Sequence, residues 1–325
     1  MSGLSEFSLI KHYFEKISTP RSDVLLGIGD DCAIVQADTN QQIAISVDTL
    51  VEGVHFLPNA DPENLGHKSL AVSLSDLAAI GATPAWFTLA LTLPEVKEPW
   101  LAGFAKGLAT LAKQHQIALI GGDTTRGPLS ITIQVNGFVK SEQALRRDGA
   151  HVGDNIYVSG TVGDAGAGLK LKQNQLLAQQ DKQLQEAFLQ QRFDKPTPKV
   201  DLGRDLRGIA NSAIDISDGL VADLSHILEK SQVGADIELE ALPVSSALAD
   251  TVSREHAEQL ALYAGDDYEL CFTAPPEKHA ELRKIKDSYT KIGTITGNPN
   301  KMVFYRGGQQ IELTGKGYEH FSIED

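Results

Sequence analysis

Aspartates recur in this sequence where apolar, strand-like runs end, and this pattern constrains the fold most strongly. The single residues are Asp48, Asp123, Asp215 and Asp218, and an adjacent pair, Asp30 and Asp31, follows the glycine-containing stretch 27–29. No Lys or Arg lies within four positions of the pair, so a folded chain gains from such acids only if a cation binds them. Carboxylates gathered at strand ends are typical ligands of hard divalent cations. The pattern therefore predicts Mg²⁺ that in turn holds nucleotide phosphates, although a single pair taken alone would indicate a solvated turn.

The composition excludes several classes of function. The 325 residues carry a formal net charge of −14, which argues against an electrostatic nucleic-acid or membrane-surface binder because both need basic patches. Cys32 and Cys271 are the two cysteines, so the sequence predicts no disulfide framework and fits a reducing compartment. The first residues lack a signal-peptide pattern, and no apolar run reaches membrane-spanning length. We therefore predict a cytoplasmic protein with no nucleic-acid and no membrane partner.

Hydrophobic periodicity predicts a mixed α+β domain in the N-terminal half. A first helix is predicted over 7–17, and the order β-α-β-α-β-β then covers residues 41–47, 66–81, 86–93, 99–115, 117–120 and 131–135. Strands that alternate apolar with polar residues give a sheet with one apolar face. Such a face needs a cover, and a partner subunit is the expected one.

The C-terminal half is predicted to be an α/β domain that begins after a polar boundary at 145–149. Strands are predicted over 155–159, up to Asp215, and over 235–239. The glycine-rich turn 160–168 is predicted to open a helix, and residues 171–192 to form an exposed helix with a loop. Further helices are predicted over 219–230, over 245–263 and, rich in charged residues, over 278–289. The turn 160–168 either holds an anion at the start of its helix or only allows close helix packing. Since the length suggests two domains, we predict domains over 1–147 and 148–325.

Four further positions combine a chemical interpretation with an ordinary one. Asp76 lies in an otherwise apolar helix, which favours the border of a cleft over a solvated face. Asp218 precedes a predicted helix and could serve only as its N-cap. Arg147 has the planar fork that suits a phosphate, but a boundary arginine is more often simply exposed. His55, in a loop, could equally be an ordinary surface residue.

Familiar nucleotide and zinc motifs are absent from the sequence. There is no Gly-x-x-x-x-Gly-Lys-Ser/Thr loop, and the stretch 27–29 lacks the third glycine and the preceding strand of a dinucleotide-binding fingerprint. No Cys and His spacing resembles a zinc site, and no Gly-x-Ser-x-Gly elbow occurs. The predicted loop 121–127 combines two glycines, an acid and hydrogen-bond donors. It is therefore a second place where metal and phosphate can bind.

Taken in order, these motifs resemble those of the thiamine-monophosphate kinases, a family in the superfamily of aminoimidazole ribonucleotide synthetase and selenophosphate synthetase. The matching segments are 6–7, 27–33, 46–49, 55–56, 74–78, 121–128, 215–220, 265–270 and 317–318, and they span nearly the whole chain. The resemblance implies a two-domain synthetase-superfamily fold in which N-terminal mixed sheets pair across a homodimer. It also implies transfer of the ATP γ-phosphoryl group to thiamine monophosphate, which gives thiamine diphosphate.

The resemblance further implies a role for each matching residue. Several Mg²⁺ ions would be bound by Asp31, Ser46, Val47 (through its carbonyl), Asp48, Asp76, Asp123, Asp215 and Asp218. ATP would be contacted by Gly122, Arg147 and Ser217, and the thiamine substrate by His55, Asp266 and Tyr318. Family members commonly carry Glu at position 266 and an indole ring at position 318, so the two departures affect the substrate contacts. A requirement for K⁺ is left open.

The acceptor of this implied reaction is a phosphate monoester that is about nine-tenths dianionic at pH 7. It needs no general base, so we predict direct in-line attack without a covalent intermediate, with Tyr318 stacked on the thiazolium cation. Three alternatives are considered: another ATP-dependent synthetase or a hydrogenase-maturation protein of the same superfamily, a metal-dependent phosphohydrolase with no nucleotide donor, and a non-enzymatic acidic binding module.

Overall fold

The structure, a computed structural model, describes residues 6–17, 20–29, 32–37, 40–176 and 181–313. The described residues fall into two compact units, the first within 1–77 and 82–142 and the second within 78–81 and 143–325. None of the helices in this part of the chain combines the length and the apolarity needed to cross a membrane.

The first unit is built around one mixed sheet. Its helices and strands are α1 Glu6–Leu9, β1 Val24–Leu26, β2 Ile34–Val35, β3 Gln41–Val51, α2 Pro62–Ala79, β4 Thr83–Leu93, α3 Glu98–Gln114, β5 Ala118–Arg126 and β6 Ser130–Lys140. The order within the sheet is β3-β6-β4-β5, in which β4 and β5 run parallel and the other neighbours antiparallel. The mixed α+β architecture predicted for this half is confirmed.

The two faces of this sheet differ in cover. On one face the side chains of Leu74 in α2 and Ile133 in β6 are fully or almost fully buried. On the other face Ile43, Ile45 and Val47 of β3 are 44%, 62% and 61% exposed. The apolar residues of β3 therefore line the uncovered face.

One prediction for this unit is wrong. Residues 121–127 were expected to form a loop, but β5 continues to Arg126 in a parallel ladder with β4 that runs from Thr88 opposite Gly121 to Leu93 opposite Arg126. The glycines of this segment indicated a turn, but pairing with β4 gives its backbone ladder hydrogen bonds. Pairing with a neighbouring strand here outweighs the local preference of the sequence.

The second unit carries a larger sheet with helices packed on it. Its elements are β7 Asn155–Ser159, α4 Asp164–Lys172, α5 Gln183–Asp194, α6 Val200–Asp205, β8 Ser212–Asp215, α7 Leu220–Ser231, β9 Gly234–Glu238, α8 Ser246–Thr251, α9 Arg254–Tyr263, β10 Leu270–Ala274, α10 His279–Leu282, β11 Tyr289–Thr296, β12 Met302–Arg306 and β13 Gln309–Ile311. Seven strands pair in the order β13-β12-β9-β11-β7-β10-β8. Leu224 and Ile227 of α7 share one buried core with Ile156 of β7 and Cys271 of β10.

Two helix predictions in this unit are wrong in extent. The single helix expected over 245–263 is two helices, because Ser245 and Ser253 each cap a separate start: Leu248 N–H donates to Ser245 Oγ and His256 N–H donates to Ser253 Oγ. The charged helix expected over 278–289 is the short α10, since Tyr289 already pairs with Ser159 as the first residue of β11.

Candidate functional site

A small polar cluster lies between β3 and α2 in the first unit. Ser46 Oγ donates a hydrogen bond to Asp76 Oδ2. Asp48, two residues along β3 and on the same face, has a buried Oδ2 with no hydrogen-bond partner among the described residues. A buried carboxylate oxygen without a partner, next to a second carboxylate and a hydroxyl, is a set of hard oxygen donors that suits Mg²⁺.

The pKa of Asp48 reflects this setting. Burial, and then the neighbouring charge of Asp76, raise the pKa of Asp48 to about 6. Both causes penalise the ionised form of the carboxyl group. A divalent cation bound by both carboxylates would offset the cost of burial and the repulsion between the two charges. The ionised cluster is therefore more stable with a bound metal than without one.

A cleft of about 720 Å³ opens within the first unit between two glycine-containing segments. Gly29 and Cys32 line one side, and residues 121–124 line another. The structure thus brings the first two sequence motifs to one cleft whose volume is typical of small-molecule sites. Asp31, which the sequence places between Gly29 and Cys32, lies outside the described residues.

Gly122 lines this cleft at a position where no side chain can be accommodated. Its φ is +154°, and a Cβ at this position would lie 1.9 Å from the carbonyl oxygen of Leu89. Only glycine fits so close to β4, which explains the residue without reference to a ligand.

Asp123 does not join the Asp48 cluster within this unit. The ladder sets Asp123 opposite Ala90, which is opposite Thr132, which is opposite Thr49. Asp123 therefore shares a face with Thr49, whereas Asp48 points to the other face. Their strands β5 and β3 are also the two edges of the sheet, about 14 Å apart at ordinary strand spacing.

His55 lies in a turn that follows β3. Val51 N–H donates to His55 Nδ1 at 3.0 Å, and His55 N–H donates to Val51 O at 3.0 Å. Because Nδ1 accepts a hydrogen bond, the neutral ring carries its proton on Nε2. The turn therefore fixes the orientation of the ring.

In the second unit the segments 215–220 and 265–270, which are distant in sequence, are joined by backbone hydrogen bonds. Asp266 N–H donates to Ser217 O and Tyr268 N–H donates to Ile216 O, both at 2.9 Å. Gly265 allows this approach, since a Cβ there would lie 2.2 Å from Ser217 O. Asp215 ends β8, an edge strand of the sheet, directly before this contact. The structure therefore places Ser217 and Asp266 side by side just beyond Asp215.

Asp223 is a residue of this site that sequence reasoning missed. Its side chain is 3% exposed, and its Oδ2 accepts hydrogen bonds from the N–H groups of Ser217 and Asp218, both at 3.0 Å. Burial raises the pKa of Asp223 to about 7. The only sequence signal was an acid in the first turn of a helix, which also suits the helix dipole.

Asp267 occupies the start of α4, where the sequence left open whether the turn 160–168 holds an anion. Its fully buried carboxylate accepts from Gly163 N–H at 2.6 Å and from Ala165 N–H at 3.1 Å. Burial raises the pKa of Asp267 to about 8 in spite of these bonds. The group that accepts the N–H groups at this helix start is therefore a carboxyl group of the chain itself.

Glu269, in the same motif, is the centre of a buried ionic network. It is 2% exposed, accepts a hydrogen bond from Ser159 Oγ at 2.5 Å, and pairs with Arg192 at 2.8 Å and Lys199 at 3.2 Å. This network anchors the start of β10, which directly follows the Asp266 turn.

Comparison with known proteins identifies the family. Residues 29–139 match the model of the AIR synthase related protein N-terminal domain, and residues 151–306 match that of the C-terminal domain. The thiamine-monophosphate kinase of Escherichia coli strain K12 is 50% identical over 321 residues, which cover 98% of each chain. The chain belongs to the thiamine-monophosphate kinase family. It is therefore an enzyme of the transferase class.

Solved structures of the kinase family agree with this assignment. The thiamine-monophosphate kinase of Stenotrophomonas maltophilia K279a is 45% identical, with a TM-score of 0.85, and the match covers 95% of this chain and 98% of that chain. A structure of AaThiL complexed with AMPPCP and TMP is 32% identical, with a TM-score of 0.77, covering 98% of this chain and 97% of that chain.

Arg147, the expected ATP contact of this kinase family member, is exposed and lies away from the Ser217 turn. Its carbonyl accepts from Ser231 Oγ at 2.7 Å, so its backbone lies at the C-terminal end of α7. Ser217 and Asp218 precede the opposite end of that helix, about 18 Å away for twelve residues. Within the second unit the structure does not bring Arg147 and Ser217 together.

Two of the expected kinase residues, Asp31 and Tyr318, lie outside the described residues. Within the described ranges no group of three or more His, Cys, Asp or Glu side chains stands close enough to hold a metal ion by itself. In the first unit Asp48 lies beside Asp76, and Asp123 lies on the opposite face of the sheet. Asp215 and Asp218 belong to the second unit.

Proposed function

We propose that this chain transfers the γ-phosphoryl group of ATP to thiamine monophosphate, giving thiamine diphosphate and ADP, in the biosynthesis of thiamine diphosphate. The observation that carries the proposal is the nearly full-length match to AaThiL complexed with AMPPCP and TMP, together with 50% identity to the Escherichia coli kinase. A cytoplasmic location, suggested by two unpaired cysteines, is part of the proposal.

Magnesium is the metal that the donor chemistry favours. The residues proposed to hold it are Asp31, Ser46, the carbonyl of Val47, Asp48, Asp76, Asp123, Asp215 and Asp218. Because Asp48 and Asp123 lie on opposite faces of one sheet, several ions fit these donors better than one. When bound, Mg²⁺ neutralises charge on the phosphate oxygens of both substrates.

The remaining residues are proposed to bind and orient the substrates. Gly122, Arg147 and Ser217 contact ATP, and His55, Asp266 and Tyr318 contact thiamine monophosphate. Asp266 is held by Tyr268, whose hydroxyl donates to Asp266 Oδ1 at 3.1 Å. The acceptor phosphate is about nine-tenths dianionic at pH 7, so no base is needed and in-line positioning supplies the catalysis. The proposed domains are 1–147, which binds metal and ATP, and 148–325, which completes the site.

The function is tested by following both products. With ATP, thiamine monophosphate and Mg²⁺, we expect ADP and thiamine diphosphate in a 1:1 ratio by chromatography. ADP formation should stop when thiamine monophosphate is omitted or replaced by unphosphorylated thiamine. It should also stop in excess chelator and resume when Mg²⁺ is restored. ATP hydrolysis that ignores the acceptor would instead indicate a phosphohydrolase. Exchange of K⁺ for Na⁺ in the same assay tests a K⁺ requirement.

We further propose a homodimer formed through the uncovered face of the first sheet. The apolar exposure of Ile43, Ile45 and Val47 on the edge strand β3 supports this. Ile45→Lys should shift the protein from twice the mass of one chain to a single-chain mass in sedimentation analysis, because a buried charge opposes the interface. The matched control is Leu184→Lys on α5, which is 85% exposed and should leave the mass unchanged. An Ile45→Lys protein with the wild-type mass would contradict the proposed interface.

A further inference from the structure

The turn that carries Ser217 and Asp218 is held from two sides. On one side, the backbone of residues 265–268 donates to the carbonyl groups of Ile216 and Ser217. On the other side, Asp223 Oδ2 accepts from the N–H groups of Ser217 and Asp218 at 3.0 Å each. Carbonyl and amide groups of the turn are thus both paired, and its backbone has one defined conformation.

The hydrogen bonds of Asp223 to the backbone of this turn determine which of its groups can bind a polyphosphate. Successive backbone N–H groups in a turn form a concavity that binds anions. Here a carboxylate of the chain already occupies that concavity and is itself buried, with 3% exposure. Phosphate oxygens therefore have to be held through the side chains of Ser217 and Asp218, and through any cation they bind.

We propose that Asp223 is a positioning residue that fixes the backbone of Ser217 and Asp218, so that their side chains hold nucleotide and metal in register. The inference rests on the proposed function, since it assumes that these two residues contact ATP and Mg²⁺. Partners that orient a metal ligand typically change metal affinity by about 10- to 100-fold when they are removed. Asp223 acts on the turn without touching either substrate.

Three substitutions at position 223 separate its possible roles. Asp223→Asn keeps an oxygen that can accept both N–H groups and removes the charge. Asp223→Ala leaves both N–H groups without this acceptor. Asp223→Glu keeps the charge but lengthens the side chain by one methylene group, which displaces a turn held at 3.0 Å.

Asp154 provides a matched control in the same unit. It is also 3% exposed, and its carboxylate accepts from His151 N–H at 3.0 Å and from Asn211 Nδ2 at 2.9 Å. It precedes β7 at the end of that strand opposite Ser159. Asp154→Ala therefore removes a comparable buried acid far from the Ser217 turn.

The experiment measures the Mg²⁺ concentration for half-maximal activity, the KM for ATP and kcat at a temperature where circular dichroism finds every variant folded. For Asp223→Ala and Asp223→Glu we expect the half-saturating Mg²⁺ concentration to rise by about tenfold or more. Asp223→Asn should stay within about threefold of the wild type, because the acceptor is retained. Asp154→Ala should lower the melting temperature and leave the Mg²⁺ dependence within about twofold.

Two outcomes would overturn the proposal. An Asp223→Ala or Asp223→Glu enzyme with wild-type Mg²⁺ dependence would make the residue merely structural, and an Asp223→Asn enzyme as impaired as Asp223→Ala would mean that the charge itself takes part. If Asp223→Ala does not fold, Asp223→Glu decides. Mg²⁺-dependent binding of AMPPCP by calorimetry on the same variants keeps this test separate from the proposed function, which fails instead if the wild type forms no thiamine diphosphate.

Discussion

Asp48→Asn is expected to lower kcat/KM by about 100- to 1000-fold, the loss typical of removing one strong electrostatic contact to a transition state. The same substitution should leave the metal-free protein at least as stable as the wild type at pH 8. The carboxyl group of Asp48 has its pKa raised to about 6 in the folded state, so its ionisation favours unfolding. The stability it contributes is present at low pH and is lost as the pH rises through about 6. An amide cannot ionise, and the free energy of unfolding at pH 8 should therefore rise by about 1–3 kcal/mol.

The test combines urea unfolding at pH 5 and pH 8, with and without Mg²⁺, and steady-state kinetics. Mg²⁺ should stabilise the wild type and have much less effect on Asp48→Asn, because one of its ligands is gone. Glu63→Gln is the control, since Glu63 is a partly exposed acid on α2 that pairs with Lys106. A variant that unfolds more easily than the wild type at pH 8 without metal, yet is fully active when folded, would refute the metal assignment of Asp48.

Much of the fold could be predicted because it depends on local periodicity. The alternation of residues 41–47 and 131–135 is a property of single strands, and both are strands in the structure. The errors come from interactions that periodicity does not contain. Residues 121–126 extend β5 because β4 offers a ladder, and Ser253 splits a predicted helix because its hydroxyl caps a new start.

The candidate site was predicted less completely, because sheet order is not encoded locally. In the second unit, the segment that follows the strand-end acid Asp215 does lie beside the Asp266 turn, since Asp266 N–H donates to Ser217 O. The rule that acids at strand ends converge does not hold within the first unit for Asp48 and Asp123, whose strands are opposite edges of the sheet. Asp223 and Asp267 were missed for the same reason. Each accepts backbone N–H groups, and which amides an acid reaches depends on the folded chain.

Glu269→Gln is expected to lower the free energy of unfolding by about 3–5 kcal/mol, the usual cost of removing one partner from a buried ion pair. Glu269 is 2% exposed, and its partners Arg192 and Lys199 are each 14% exposed. Glutamine still accepts a hydrogen bond but leaves two nearly buried cations with less negative charge beside them. Urea unfolding measures the effect. The matched control is Asp148→Asn. Asp148 and its partner Arg146 are 44% and 68% exposed, so this substitution should leave the free energy of unfolding nearly unchanged. A loss below about 1 kcal/mol for Glu269→Gln would mean that Asp164, 3.9 Å from Arg192, and Asp287, 3.7 Å from Lys199, suffice to balance the two cations.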